Sequence, residues 1–354
     1  MDREIEFLNA VSAEERLANL KTLLAEEKEK PEVLPQYANN HIHTTFSFSP
    51  YSPTAAVWAA RRAGLPTAGI MDHDSISGAS EFRKAAKLAG VGATCGVEMR
   101  TDWSDSPFAS RRVNCPDMNG MAYMTFHSIR ERYFDQVKDM IAPFRNFRNE
   151  RNIRMLKNIE EKTGVHLDFE KDVIPISEYE NGGSITERHL LFALAKKVKP
   201  EGTESEQYQL LGQYKSGLIN DVYIEPSKEL LPLDFAVSFA KDIDCYLCYP
   251  YLGDVTKSPT GDKKEQKFED DYLEELFAYL DKKGVRAITY MPSRNTQEQL
   301  DRLMKLCDKY NMMQISGEDI NQPSQSFICK QLADPRFAHL VDAAWALVKR
   351  EENG

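Results

Sequence analysis

Cysteine is scarce in this chain: six residues in 354 are too few for the disulfide framework of a small secreted domain. Cys245 and Cys248 form a lone pair inside an apolar stretch. With no second pair to complete four ligands, they read as buried thiols rather than a zinc half-site. Long apolar runs are also missing, and nothing approaches the roughly 18 residues that a bilayer-spanning helix needs. The opening MDREIEFLNAVSAEERL is acidic and helical, where a signal peptide would be basic and then apolar. The expectation is a soluble, cytoplasmic protein with no membrane partner. Positive charge is in deficit, 45 Lys+Arg against 55 Asp+Glu for a net charge of −10. That balance disfavours a protein that holds a nucleic acid polymer by bulk attraction, while a local basic pocket stays open.

What is present is the material of a folded enzyme-sized protein: 42% hydrophobic and 28% charged residues, well above the apolar content of disordered chains. Residues 1–35 carry helical spacing ending in the breaker-rich KPEVLPQYANN, and read as a peripheral N-terminal helix. From residue 36 to 354 one unit recurs, a short apolar stretch ending in polar residues and followed by a helical pattern. NNHIHTTFS leads into Ser52-Pro53 and a helix that Gly64 can stop. TAGIM runs into Asp72-His73-Asp74, VGATCGV into Glu98, GMAYMTF into His127, and MMQIS towards Asp319. Thr296 with Gln299 has capping-box spacing. Six or seven such units predict an α/β fold, a parallel sheet closing into a barrel. Between about 143 and 240 the pattern turns mostly helical, which predicts an insertion. The charge run at 262–271 reads as a solvated face.

His41 and His43 flank an isoleucine, and on a strand residues two apart share a face. Asp72, His73, Asp74, Glu98, His127 and Asp319 all fall at predicted strand ends, where barrels of this class assemble active sites. Imidazole with carboxylate oxygen suits zinc, manganese or iron. A carboxylate such as Glu98 can bridge two ions a few Å apart. Asp72 and Asp74 are open between direct ligation and fixing a neighbouring imidazole. Phosphate would need guanidinium groups, and the candidates are Arg112, Arg188 and Arg294, with Arg294 preferred for its strand-end position. His166, His339 and Trp58 read as surface or packing residues.

HIHTTFSFSPYSP, MDHDSISG, CGVEMR and SGEDIN together resemble the four motifs of the PHP superfamily (polymerase and histidinol phosphatase), across most of residues 39–330. The resemblance implies a distorted TIM-like (β/α)7 barrel and metal-dependent phosphoesterase activity. It makes His41, His43, Glu98 and Asp319 ligands of a first ion, with Glu98 bridging to a second completed by His127 and His189. A third site in the family uses three histidines. Here His73 matches one, but Ser49 and Asn321 stand in the other two places, so two divalent ions are expected and a third is weak or absent. His73 and Asp72 are the catalytic candidates.

The leading expectation is hydrolysis of a small phosphomonoester or nucleotide-like phosphoester. The alternative is a catalytically impaired barrel that binds a phosphorylated ligand or partner, which the two missing histidines favour. A barrel hydrolase cleaving C–N bonds would call for a strand-end lysine, and the sequence offers no convincing one.

Overall fold

The computed structural model describes residues 2–116, 118–255 and 266–353. Among these, eight strands form one sheet: β1 (Asn39–Ile42), β2 (Thr67–His73), β3 (Gly92–Asp102), β4 (Met121–His127), β5 (Leu231–Pro232), β6 (Tyr246–Pro250), β7 (Ala287–Tyr290) and β8 (Met313–Ser316). The order is β1-β2-β3-β4-β6-β7-β8, and the short β5 pairs with β3 off that path. The chain after β8 returns to β1, where the His43 amide donates to the Ile320 carbonyl at 2.9 Å and the Ile320 amide to that of His41 at 3.1 Å. The seven-stranded path is thereby nearly closed into a barrel, with helices packed outside it, as the repeating unit implied.

The helices are α1 (Arg3–Leu8), α2 (Ala13–Glu26), α3 (Pro53–Arg62), α4 (Ala79–Ala89), α5 (Phe134–Thr163), α6 (Glu187–Val198), α7 (Glu204–Ser216), α8 (Ile219–Val222), α9 (Leu233–Asp242), α10 (Leu273–Lys283), α11 (Gln297–Lys309) and α12 (Ala338–Glu352). Local chemistry sets their ends. Ser52 Oγ accepts the Ala55 amide at 3.1 Å with Pro53 in the first turn of α3, and Thr296 with Gln299 forms the capping box of α11. Among the described residues no helix is long and apolar enough to cross a membrane.

Four expectations need correcting. β4 is antiparallel to both β3 and β6, so its C-terminal end, with His127, points to the opposite end of the barrel from those of β1 and β2. Among the described residues no helix separates β3 from β4. Their direct pairing carries β3 four residues past Glu98, as far as Asp102 opposite Met121. The helical insertion does not begin at 143, because α5 runs unbroken through Pro143. A proline in a helix interior costs about 3 kcal/mol, and burial of an aliphatic side chain returns about 1.5–3 kcal/mol each. Met155, Leu156 and Ile159, all buried farther along α5 in a core shared with α6 and α7, outweigh that one cost.

The N-terminal segment folds as two helices rather than one and is tied into the barrel's outer layer. Buried Arg16 forms a two-pronged pair with Glu81 of α4 at 2.9 and 2.6 Å, and Trp58 of α3 donates to Glu4 at 2.9 Å. Of the charge run at 262–271, residues 262–265 lie outside the described residues.

Candidate metal centre

β1 is buried along its whole length, and His41 within it and His43 just past its end face a convergence of carboxylates. His41 Nε2 lies 3.5 Å, His43 Nε2 3.7 Å and His73 Nδ1 3.1 Å from Glu98 Oε2, and His43 Nε2 is 3.2 Å from Asp319 Oδ1. His73 and Glu98 are register partners across β2 and β3, so one rung of the sheet supplies both. Gly317 makes the fourth side possible. A Cβ there would sit 2.6 Å from that of His41, and only glycine lets the chain after β8 bring Asp319 this close.

Among the described residues, two groups of three have donor atoms close enough together to hold an ion, His41 with His43 and Asp319, and His43 with His73 and Glu98. Ligand atoms about 2 Å from one ion lie roughly 3–3.5 Å from one another; His73–Glu98 and His43–Asp319 fall in that range at 3.1 and 3.2 Å, and His43–Glu98 is a little wider at 3.7 Å. His43 Nε2 is buried with no hydrogen-bond partner, a state that normally costs about 1–3 kcal/mol. The donor set therefore fits divalent metal.

Electrostatics point the same way. Burial pushes the Glu98 carboxyl up, but the imidazoles of His73, His41 and His43 outweigh it and hold the group at about 2. Asp319 is likewise held well below the usual carboxylate range, against burial, by His43, His41 and Arg188. Burial, with His43 and Arg148 nearby, drives His73 well below the ordinary imidazole range. His73 is thereby held neutral and presents a lone pair, as ligation requires, whereas Glu98 and Asp319 raise His41 against the effect of its burial.

Other residues from the sequence reading are placed differently. His127 and His189 join neither group of three. Both are fully buried, and burial pushes both down to about 3, with His41 adding to the effect at His127 and Arg148 at His189. His127 Nε2 has no hydrogen-bond partner. Its side chain still faces the interior, two residues on from Thr125, which is Glu98's partner across the β3–β4 ladder. His189 Nδ1 accepts the Thr186 amide at 3.0 Å, and its ring meets Phe48 edge-on at 4.9 Å.

Both Asp72 oxygens are occupied, by the Thr44 amide, the Thr44 hydroxyl and the Ser47 hydroxyl, each at 2.6 Å. Ser47 Oγ in turn sits 3.2 Å from His43 Nδ1. Asp74 turns away to pair with Arg148. Ser49 Oγ is buried and unpartnered, and Asn321 Nδ2 donates to Asp319 Oδ1 at 2.5 Å.

Among the arginines, Arg188 is the one whose charge is felt at Asp319. Arg294, preferred from sequence, donates instead to the Leu252 carbonyl at 3.1 Å with its guanidinium over Phe268. The Arg112 carbonyl accepts the Tyr272 hydroxyl in the β3–β4 loop. His166 is exposed beside Glu160, and His339 lies against Tyr290 and Gln314.

Sequence reasoning missed the cleft beside the cluster, about 80 Å³, where Pro250, Tyr251, Leu252, Tyr290 and Met291 face His41, Glu98 and Asp319. It also missed Arg148 and Arg151. A usable signal was present, since 148, 151, 152, 155 and 159 are buried positions at helical spacing on α5 and form one face that begins polar and turns apolar.

Comparison with known proteins agrees with this geometry. A 5'-3' exoribonuclease of Haemophilus influenzae is 27% identical over 188 residues, which cover 51% of this chain and 58% of that protein. The chain thus aligns with little more than half of that relative's length. A solved structure described as a metal-dependent phosphoesterase of Bifidobacterium adolescentis superposes with a TM-score of 0.61 at 18% identity, covering 91% of this chain and 98% of that one. An amidohydrolase of Chromobacterium violaceum, solved with sulfate and without metal, gives 0.60 at 16% identity over 82% and 89% of the two chains. At these identities the two structures speak for the fold. The PHP domain model matches residues 39–227, more than half of the sequence, and the chain belongs to the PHP domain family.

Proposed function

We propose that this protein is a metal-dependent phosphoesterase acting on a small phosphomonoester or a nucleotide-like phosphoester. The observation that carries the reading is Glu98 Oε2 facing the imidazoles of His73, His41 and His43 at 3.1, 3.5 and 3.7 Å. His41, His43 and Asp319 would hold one divalent ion, and Glu98 would share in a second that draws on His73, with His127 and His189 as the remaining buried imidazoles. Such ions supply Lewis acidity towards phosphoryl oxygens and bring a water within reach of ionisation at neutral pH. Zinc, manganese and iron all suit this donor set.

This chain's own groups do the remaining work. Asp72 holds the turn of Thr44 and Ser47, and through Ser47 it orients the His43 ring. Arg188 supplies positive charge on the Asp319 side, where phosphate oxygens would gather. Partly buried and neutral, His73 offers a lone pair rather than a proton, which favours ligation over the general-acid role the sequence suggested. A proton for the leaving oxygen then comes from water. The apolar cleft is small enough to favour a compact group beside the phosphate, and the exoribonuclease relative is consistent with nucleotide-like esters.

No lysine is buried among the described residues, so the C–N hydrolase alternative lacks its extra ligand or base. The test is turnover of p-nitrophenyl phosphate, a nucleoside 5'-monophosphate and a short oligoribonucleotide, before and after chelation and after adding back manganese or zinc. Metal-restored turnover of at least one of them is expected. Metal bound without turnover of any would put the ligand-binding alternative first.

A further inference from the structure

Behind the metal face, between the barrel and the helical insertion, six buried or nearly buried charges form one network. Arg100 of β3 and Arg148 and Arg151 of α5 meet Asp74, Glu187 and Glu229. Arg148 bonds Asp74 and, at 2.9 Å, Glu187. Arg100 bonds Glu187 at 2.8 Å and Glu229 at 3.0 Å. Arg151 bonds Glu187, and Glu229 at 2.9 Å. Three cations balance three anions. Networks of this kind are poor sources of stability, because apolar packing of similar volume does as well or better, so their placement is the informative feature.

One arm ends beside the metal centre. Asp74 follows His73 directly and holds the left-handed conformation, φ +48°, which asparagine and aspartate tolerate better than other side-chain-bearing residues. Its amide bonds the Glu98 carbonyl at 3.0 Å, and its carboxylate is gripped by Arg148. The His73 carbonyl accepts the Ser184 hydroxyl at 2.6 Å. Two of the bonds that hold the His73-Asp74 turn, from Ser184 and Arg148, come from the insertion.

We propose that Arg148 and Ser184 are positioning residues for His73. They hold the His73-Asp74 turn from the insertion so that the imidazole faces Glu98, and the insertion thereby sets the metal affinity of the barrel site. This rests on the metal-centre reading above.

The test is cobalt(II) titration of the full chain, followed by visible absorption and by equilibrium dialysis. Asp74→Asn keeps an acceptor for Arg148 and tolerates the same backbone conformation, yet removes the charge that anchors the turn. Loss of a group that orients a metal-ligating histidine typically costs 10–100-fold in metal affinity. That loss is expected for Asp74→Asn at one of the two ions, together with an altered cobalt spectrum. Arg148→Lys should bind cobalt more tightly than Arg148→Met, because it retains the charge.

The deciding measurement is the cycle with His73→Ala. In that background Asp74→Asn should have no further effect on cobalt affinity. An equal loss in both backgrounds, or no loss in the single variant, overturns the proposal and leaves the metal centre standing. Failure of the unmodified protein to take up cobalt at all would overturn the metal centre and this inference together.

Discussion

The metal face and the ion network behind it are both polar and both buried, but they differ in how their atoms are partnered. On the metal face, His43 Nε2, His127 Nε2, Ser49 Oγ and Asn321 Oδ1 are shut away from water without a hydrogen-bond partner. In the network, two acidic groups or more meet each arginine, and only Arg148 Nε is left over. Native proteins leave few buried polar atoms unpaired, so a cluster of them marks a place where something else completes the bonding. The paired cluster is complete in itself. Away from the Arg148–Asp74 arm that reaches His73, mutation should therefore separate the two regions, with the first losing ligand binding and the second losing stability.

The largest effect belongs to Glu98. Glu98→Ala removes the carboxylate that three imidazoles share, and should cost the ion that draws on His73, leaving at most one ion per chain with turnover down by orders of magnitude. The metal-free protein should lose some stability as well, because Glu98 is the main counter-charge of buried His41. Elemental analysis and calorimetry check both halves. Metal content unchanged in this variant would break the proposed site.

Glu229→Gln should show the converse. It leaves Arg100 and Arg151 short of one anion in a buried setting, and breaking such pairs costs about 3–5 kcal/mol. Urea unfolding should show that loss while metal stoichiometry stays at two.

The network and the metal face also differ in legibility. His41-x-His43 announces itself because strand period puts both imidazoles on one face, and MDHDS, Glu98 and SGEDIN sit in contiguous motifs. The reversed direction of β4 was hidden because MAYMTFH reads alike in either pairing, and pairing depends on residues far away in the chain. The network is non-local throughout. Arg148 finds Asp74 across 74 residues and Glu187 across 39, and no local pattern encodes such a meeting. The docking of the N-terminal helices through Arg16 and Glu81, 65 residues apart, was opaque for the same reason, as was the continuation of α5 past Pro143, where tertiary burial overrides a local breaker.

A buried acid outside both regions sharpens the contrast. Burial, with the Asp270 charge adding to it, pushes Glu269 to about 8 despite the Leu252 amide it accepts, whereas imidazoles hold Glu98, also buried, at about 2. Glu269 is protonated in the fold and ionises near 4.5 when unfolded, so the folded state binds the extra proton. Its contribution is fully present below about pH 4.5 and is lost as pH rises towards 8. At about 1.4 kcal/mol per unit, the loss amounts to a few kcal/mol. Glu269→Gln should match the wild type in urea midpoint at pH 4 and exceed it at pH 9. A residual slope should remain from Glu351, which burial also pushes to about 8. Parallel pH profiles for the two proteins would place the Glu269 proton elsewhere.

The smallest expected effect concerns the two positions where the family pattern has histidine. Asn321 turns its amide donor to Asp319 Oδ1 at 2.5 Å, so the side facing that carboxylate is a donor and offers no lone pair to an ion. Ser49 contributes only a hydroxyl, a poor ligand for zinc beside imidazole. The unmodified protein should therefore saturate at two ions per chain. Ser49→His with Asn321→His should raise the count to three if the loops after β1 and β8 keep the spacing. The added rings enter a buried setting, since Ser49 and Asn321 are 7% and 4% exposed, and overpacking of that kind costs about 1–3 kcal/mol. The metal-free double variant should thus melt lower than the parent, and excess zinc should restore the difference, because an ion bound only by the folded state stabilises it. Metal content and melting with and without zinc are the measurements. Three tightly held ions in the unmodified protein would mean that the serine hydroxyl or the amide oxygen does ligate, and the two-ion description of this site would have to be given up.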